Sequence, residues 1–568
     1  MKLKFLSILA FTSLMFATSC EDWLDVQPEG SPNDANFWQT DKHYTSAMDY
    51  VYDCLNYEET WGRDLFWEQG ASDDIFFSRA RGASQSNLAN LIMDGNTEGS
   101  IKNNYELFYK SMAAANNVIY HALKMSNRTE TINIRLGEAY FMRAFMHYMI
   151  AYRYGRADNG VPFDRYEDYD PYVTKIPEQR ATVMDNYALI IEDLENAQNL
   201  LPWFNTTSSD DYGRATKDAA IALEVKTYAY WAQHDKTQWS KIPSLVDKLE
   251  NEGGRALMNN FEDVFKVENE WGSEYIFSIN STGANYAGSI FPGIVLDNKG
   301  WGYYNGWGNF KPTLELYAEY DENDLRLPAT IMKYGDEFTY FGEKRRFYSS
   351  ADLECGFHFK KYMDPFAKGS IDKVTGAGVN EALSPNGDRP TTDLNVPIFR
   401  FAEMLLFKAE AQIETGVNAA QTLNRIAKRA GLGDNYYSNP TIQDLMHERR
   451  CELACEYTDR LMDLKRWTAA GYQDAKARLE SEVHGLKYEN RSDPDSKLVA
   501  NGTVYDETTN PASKVQQMTI NGKTFDGVIV IQKAKNYTDK CSVLPYDINE
   551  VIKAQGALKQ NKGYASSF

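Results

Sequence analysis

Helical periodicity in two parts of the chain is the feature that most constrains the fold. Apolar residues repeat at about 3.6-residue spacing along 183–201, where Leu201-Pro202 ends the pattern. The segment 134–154 is apolar on nearly every side, which is typical of a helix enclosed by other helices. Further helices are predicted at 41–56 with Thr40 as cap, 105–125, 216–233, 402 to a stop at Gly416, 419–430, 442–457 and 461–467.

Helices of this length in pairs with short links predict tetratricopeptide-like stacking, in which each pair buries its apolar face on its neighbour. The central part of the chain and the part after Gly471 lack this periodicity, and alternation at Gly527–Gln532 indicates a few strands among long loops. The predicted fold is mainly α. It combines a tetratricopeptide-like scaffold of helical pairs, a large irregular, loop-rich ligand-binding side and a few short strands.

The N-terminus predicts export. Lys2 and Lys4 precede the apolar run 5–17, which is shorter than the ~20 residues needed to span a bilayer. Either an ordinary signal peptide is cut near Ser19, or Cys20 becomes the lipidated first residue of a bacterial lipoprotein. The small residues before Cys20 and the polar stretch after it favour lipidation. A lipid anchor would then hold the protein stably at a membrane. Glu21-Asp22 resembles an acidic export tag, and this resemblance implies a place on the outer membrane, facing the cell exterior.

Net charge and cysteine content argue against a nucleic-acid-binding protein and against a disulfide-stabilised fold. The net charge of −20 repels phosphate backbones, so no nucleic-acid partner is expected. An odd, scattered set of five further cysteines does not form a disulfide framework and is interpreted as packing residues. These are Cys54, Cys355, Cys451, Cys455 and Cys541.

One helix contains residues that resemble a metal site. His447, Cys451 and Cys455 could share a helical face and bind zinc. The same helix carries alternating charges between Glu448 and Glu456, and these favour ion pairs on and between helices instead. With no carboxylate pair or nucleophile motif standing out, no enzymatic activity, metal or cofactor is predicted. The many carboxylates leave a bound calcium ion open.

The segment 299–310 indicates a ligand-binding surface, because it contains five aromatic residues separated by glycine and asparagine. Glycine disfavours a helix here and lets the backbone turn, so the aromatic rings are expected to project from a loop. Trp and Tyr can stack on the apolar face of a sugar ring, while Asn reaches its hydroxyls. The alternative is that the rings fold inward and pin the loop. The predicted ligand-binding residues are Trp301, Tyr303, Tyr304, Asn305, Trp307 and Phe310, with Trp61 and Trp67 as weaker candidates for which a core role is favoured.

Five motifs are spread along nearly the whole chain. The first is Cys20 to Trp38, where Glu21-Asp22 is similar to an acidic export tag. The others are GEAYFMRA at 137–144, RFAEMLL at 400–406 with AEA at 409–411, ERRCELA at 448–454 with charged residues up to Arg466-Trp467, and LP at 544–545 with NKGY at 561–564. Together these motifs resemble those of the SusD/RagB proteins, which are nutrient-binding surface lipoproteins of Bacteroidetes.

The resemblance implies a helical scaffold opposite an irregular ligand-binding side, and a SusC-like TonB-dependent outer-membrane barrel as partner, on which the protein sits as a hinged lid. It also implies an aromatic ligand arc just ahead of Pro312, in the region of Trp301 to Phe310. It adds Tyr105, where the family often has an aromatic residue opening a helix, to the predicted ligand-binding residues. The ligand is expected to be an oligosaccharide or polysaccharide. A peptide ligand, as in RagB-type relatives, and a structural lid with little binding of its own are the alternatives.

These predictions divide the chain into a lipoprotein signal peptide, 1–19, a tether, 20–36, and a single SusD-like domain, 37–568. Within the domain the expected parts are N-terminal helices at 37–270, a loop-rich aromatic part at 271–395, C-terminal helices at 396–470 and an irregular C-terminal part at 471–568.

Overall fold

The computed structural model describes residues 37–78, 82–95, 99–168, 177–281, 290–296, 301, 306–349, 355–367, 392–507 and 510–566. The predicted signal peptide, the tether and Cys20 lie outside these residues. Within them, no helix is long and apolar enough to cross a membrane.

The prediction of a mainly α fold with few short strands is confirmed. The described residues form 17 α-helices: Asp41–Asp53, Ala83–Asn90, Gly99–Lys124, Glu130–Tyr154, Val183–Leu200, Lys217–Trp231, Ile242–Asn251, Phe291–Val295, Leu314–Glu319, Arg326–Thr330, Asp364–Ala367, Phe401–Glu414, Ala420–Arg429, Ile442–Leu453, Arg460–Ala469, Gln473–Glu480 and Ile548–Lys553.

The strands pair in small antiparallel sheets rather than in one large sheet. The pairs are Ile75–Phe77 with Phe310–Pro312, Tyr275–Ile279 with Val396–Arg400, Ile331–Lys333 with Phe357–Phe359, Glu337–Tyr340 with Glu343–Arg346, and Val504–Glu507 with Asn510–Lys514. A three-stranded sheet contains Gln516–Ile520, Lys523–Gln532 and Val483–Leu486 in that order.

The N-terminal helices pack as neighbouring pairs around the buried helix Glu130–Tyr154. This helix lies against both Gly99–Lys124 and Val183–Leu200. Val183–Leu200 begins with a capping box, because the Thr182 and Asp185 side chains each accept a hydrogen bond from the other's backbone N–H. Burial of nearly every side chain on Glu130–Tyr154 explains why its sequence is apolar all round.

One predicted helix ends early. The helix Ile442–Leu453 was expected to reach Tyr457, but the backbone of Ala454 is no longer helical, with φ −53° and ψ 134°, and Cys455 adopts a left-handed φ of 62°. The carbonyls at this end bind side chains from elsewhere in the chain. Lys361 Nζ lies 2.6 Å from the Ala454 oxygen, and the Tyr362 hydroxyl donates to the Cys455 oxygen at 2.9 Å. These donors from distant parts of the chain satisfy carbonyls of the turn that follows the helix, and the periodicity of one segment cannot reveal them.

Candidate ligand-binding site

The helical scaffold contains a buried network of arginines and carboxylates. Arg400 lies 2.7 Å from Glu274 and 2.6 Å from both Glu452 and Glu456. Arg450 joins different parts of the chain, since it contacts Asp74 and Glu319 at 2.6 Å each. Burial would raise the pKa of Glu452, but Arg429, Arg400 and Arg326 hold it well below its ordinary value. The prediction that the charges from Glu448 to Glu456 form ion pairs is confirmed.

The residues that resembled a zinc site have other partners. His447 Nδ1 lies 3.1 Å from a carboxylate oxygen of Glu319, which raises the pKa of His447 even though burial opposes this. For the thiols of Cys451 and Cys455, burial raises the pKa, so both stay protonated. All five cysteines from Cys54 onward are free and buried, which confirms their interpretation as packing residues.

Trp301 lies in the interior, and the prediction that it projects from a loop is wrong. Its side chain is 3% exposed, and its indole N–H donates to the Tyr348 oxygen at 2.8 Å. The rings of Phe338 and Phe347 lie 4.8 and 5.7 Å from its own. The β-hairpin formed by Glu337–Tyr340 and Glu343–Arg346 therefore covers it. Burial of a large aromatic ring is more favourable in free energy than its exposure to solvent.

Phe310, Trp61 and Trp67 are also buried. Phe310 is fully enclosed in the strand Phe310–Pro312, with its ring 4.8 Å from that of Trp67, so the expectation that it projects outward is wrong as well. Trp61 packs between Phe108 and Phe145, and the core role favoured for Trp61 and Trp67 is confirmed. Tyr303, Tyr304 and Asn305 lie outside the described residues.

Trp307, which belongs to the same predicted aromatic segment, lies half-buried at the surface. Its backbone N–H donates to the Gly293 oxygen at 3.0 Å, and the next N–H, of Gly308, donates to the Leu296 oxygen at 2.9 Å. Gly306 approaches so closely that a Cβ there would lie 2.1 Å from the Leu296 oxygen. The segment 306–309 is therefore fixed to the short helix Phe291–Val295, and Trp307 is held on rigid backbone.

Arg63 lies beside Trp307, with its guanidinium carbon 5.5 Å from the centre of the indole ring. This residue follows the kinked turn Glu58–Gly62, in which the backbone of Thr60 is not helical, and it also lies 5.8 Å from the Trp67 ring. Sequence reasoning did not select Arg63, since nothing near it in the chain links it to position 307. We call Trp307 and Arg63 the Trp307 face.

Tyr105 lies apart from this face, in a cluster of tyrosines. Its half-buried ring is 4.6 Å from that of Tyr109 and 5.4 Å from that of Tyr154. The Tyr109 hydroxyl donates to the Pro162 oxygen at 2.6 Å. The structure therefore does not bring Tyr105 together with Trp307, although the resemblance had placed both at the ligand.

The fold and this face define a helical scaffold that carries an aromatic surface on its loop-rich side. The chain belongs to the SusD family, because the model of that family matches residues 258–564, just over half of the sequence. A second family model, described as starch-binding associating with outer membrane, matches residues 22–229. The two matches together span residues 22–564 apart from 230–257.

Curated relatives are similar over most of their length. A SusD-like protein of Bacteroides ovatus is 24% identical over 487 residues, which cover 81% of each chain. SusD-like protein P2 of Formosa agariphila is 25% identical over 506 residues, or 83% of this chain and 90% of that protein.

Solved structures share the fold. A SusD-like protein from Bacteroides fragilis matches with a TM-score of 0.70 and 19% identity, covering 94% of this chain and 99% of that one. Surface glycan-binding protein A from Bacteroides thetaiotaomicron, in complex with laminarihexaose, matches with a TM-score of 0.66 and 19% identity, covering 92% and 100%.

Proposed function

We propose that this chain is a glycan-binding surface lipoprotein and that an oligosaccharide binds at the Trp307 face. Membership of the SusD family, together with a half-buried Trp307 on rigid backbone, carries the proposal. Relatives of the same fold are named surface glycan-binding proteins, and one of them is in complex with an oligosaccharide. A preorganised ring loses little entropy when a ligand stacks on it, so even a single aromatic platform contributes to affinity.

Within this proposal, lipidated Cys20 anchors the protein at the outer membrane, and the chain acts as the lid of a SusC-like TonB-dependent barrel. The chain binds and does not catalyse. The family model described as associating with the outer membrane supports this location. The predicted tether, 20–36, would join this anchor to the domain that begins at residue 37.

The experiment is a binding screen with the chain from Glu21 onward, which contains every described residue. Glycan and peptide panels are tested by isothermal titration, and the Trp307→Ala variant is tested on any ligand found. Stacking of one sugar ring on one aromatic side chain contributes roughly 1–3 kcal/mol, by analogy with base stacking. Trp307→Ala should therefore lower the affinity about tenfold or more. Added salt should change the affinity for the glycan little, because an uncharged sugar makes no ion pairs that salt could screen.

Trp203→Ala is the matched control. Trp203 is also half-buried with cations over its ring, since Lys217 Nζ lies 5.5 Å and Lys248 Nζ 5.9 Å from its centre, but it lies among the N-terminal helices. Its removal should leave glycan affinity unchanged. Peptide binding without glycan binding would replace the proposed ligand class, and no binding by the isolated chain would favour a structural lid.

A further inference from the structure

We propose a second binding site, for one neutral sugar ring, in a cavity between the N-terminal helices and the helix Arg460–Ala469. The cavity has a volume of about 420 Å³, within the range of roughly 300–1,000 Å³ that is typical of small-molecule sites. It lies where the helices Glu130–Tyr154 and Lys217–Trp231 end. The Trp307 face contributes none of its lining residues, so this proposal does not depend on the first.

One wall of the cavity is a single face of the helix Arg460–Ala469. Met462, Lys465, Arg466 and Ala469 line it, and their spacing of three, four and seven residues places them on one side of a helix. The opposite wall consists of tyrosines from three different helices. These are Tyr152, Tyr187 and Tyr230.

Polar groups in this lining lack hydrogen-bond partners. Lys465 is 2% exposed, and its Nζ has no hydrogen-bond partner among the described residues. Within the same residues, no hydrogen bond uses the hydroxyl of Tyr187 or Tyr230. A buried donor without an acceptor costs about 1–3 kcal/mol, so a ligand that supplies oxygen atoms gains free energy by pairing with it.

The charges around Lys465 favour a neutral ligand over an anion. Burial lowers the pKa of Lys465, whereas Glu68, Cys541 and Asp459 favour its charged form and Arg153 opposes it. Two cations and two carboxylates leave this cluster without net charge, and Glu68 already pairs with Arg153. Because two carboxylates already balance these two cations, an added anion gains no net attraction, whereas a hydroxyl oxygen can accept a hydrogen bond from Lys465 at little electrostatic cost.

The other cations that line the cavity already form ion pairs with carboxylates. Arg466 lies 2.8 Å from Asp463 and also pairs with Glu410, while Arg156 lies 3.4 Å from the exposed Asp158. At the rim, the side chains of Gln233 and His234 reach the opening and can donate or accept hydrogen bonds. Phenol rings beside unpaired hydroxyls match a sugar, which has an apolar C–H face and hydroxyls that both donate and accept.

The test is titration of the chain from Glu21 onward with glucose, galactose, mannose, xylose and glucuronate, followed by isothermal calorimetry and saturation-transfer NMR. At least one neutral sugar should bind with one-to-one stoichiometry. Tyr187→Phe and Tyr230→Phe each remove one hydroxyl and should weaken binding about five- to tenfold. Lys465→Met, which keeps the aliphatic bulk, should weaken it about tenfold or more without lowering the unfolding midpoint.

Tyr44→Phe is the matched control, because the Tyr44 hydroxyl is also buried without a partner but does not line this cavity. It should leave the affinity unchanged, as should Trp307→Ala, which separates this site from the first. Absence of binding by every neutral sugar at tens of millimolar would overturn the proposal. Binding of glucuronate alone, or equal affinities for wild type and all three cavity variants, would overturn it as well.

Discussion

Glu452→Gln tests whether the buried charge network stabilises the scaffold. One carboxylate oxygen of Glu452 lies 2.6 Å from Arg400 Nη1 and also pairs with Arg429, while the other lies 3.2 Å from Arg326 Nη1. The amide keeps the volume of the side chain but removes its charge and points N–H donors at guanidinium donors. Removing one partner of a buried ion pair costs about 3–5 kcal/mol.

Each of these arginines retains a second carboxylate, so we expect a loss near the lower end, about 3 kcal/mol, and not a sum over three pairs. Urea unfolding followed by circular dichroism and tryptophan fluorescence measures it as a lower midpoint. Glu250→Gln is the same chemical change at a half-exposed pair, where Arg425 contacts Glu250 at 2.7 and 3.0 Å. It should cost less than about 1 kcal/mol. Equal costs for the two variants would refute the reasoning.

Three further predictions follow from burial. Trp301→Ala should destabilise the chain by about 3–5 kcal/mol, seen in urea unfolding, because the ring fills the core under a β-hairpin, and a neutral effect would contradict its burial. Burial raises the pKa of Glu270 to about 7, so the folded state binds this proton more tightly than the unfolded state does. The stability that this proton contributes is complete below the unfolded pKa of about 4.3 and is lost as pH rises through about 7, so Glu270→Gln should flatten the fall in unfolding midpoint between about pH 5 and pH 8. An unchanged slope would show that Glu270 is not responsible. Burial raises the pKa of the Cys54 thiol to about 12, and all five described thiols should react with a chromogenic disulfide reagent only after unfolding.

Much of the helical scaffold could be predicted from the sequence, because local signals determine it. Thr40 caps the first helix, Thr182 and Asp185 form a capping box, and the apolar face of Val183–Leu200 is buried as its spacing indicated. The charges around Arg450 also indicated ion pairs, although their partners Asp74 and Glu319 lie far away in the chain. Short helices after Gly471, such as Gln473–Glu480, were missed because two turns give too little periodicity.

The candidate site was less predictable, since aromatic residues at a glycine-rich loop can either cover a core or face solvent. Trp301 and Trp307 are six residues apart in one segment, yet one is enclosed by Phe338 and the other lies half-buried beside Arg63. The difference arises because Trp301 is covered by the hairpin 337–346, while Trp307 lies beside Arg63, which follows the kinked turn Glu58–Gly62. The cavity at Lys465 has the same origin, because its tyrosines come from three helices that only tertiary packing brings together.

The most direct test of the central claim is a crystal structure of the chain from Glu21 onward with an oligosaccharide found in the binding screen. The account predicts a sugar ring in van der Waals contact with the Trp307 indole and a hydroxyl within hydrogen-bond distance of Arg63. An oligosaccharide bound on another surface, with the Trp307 ring unoccupied, would contradict it.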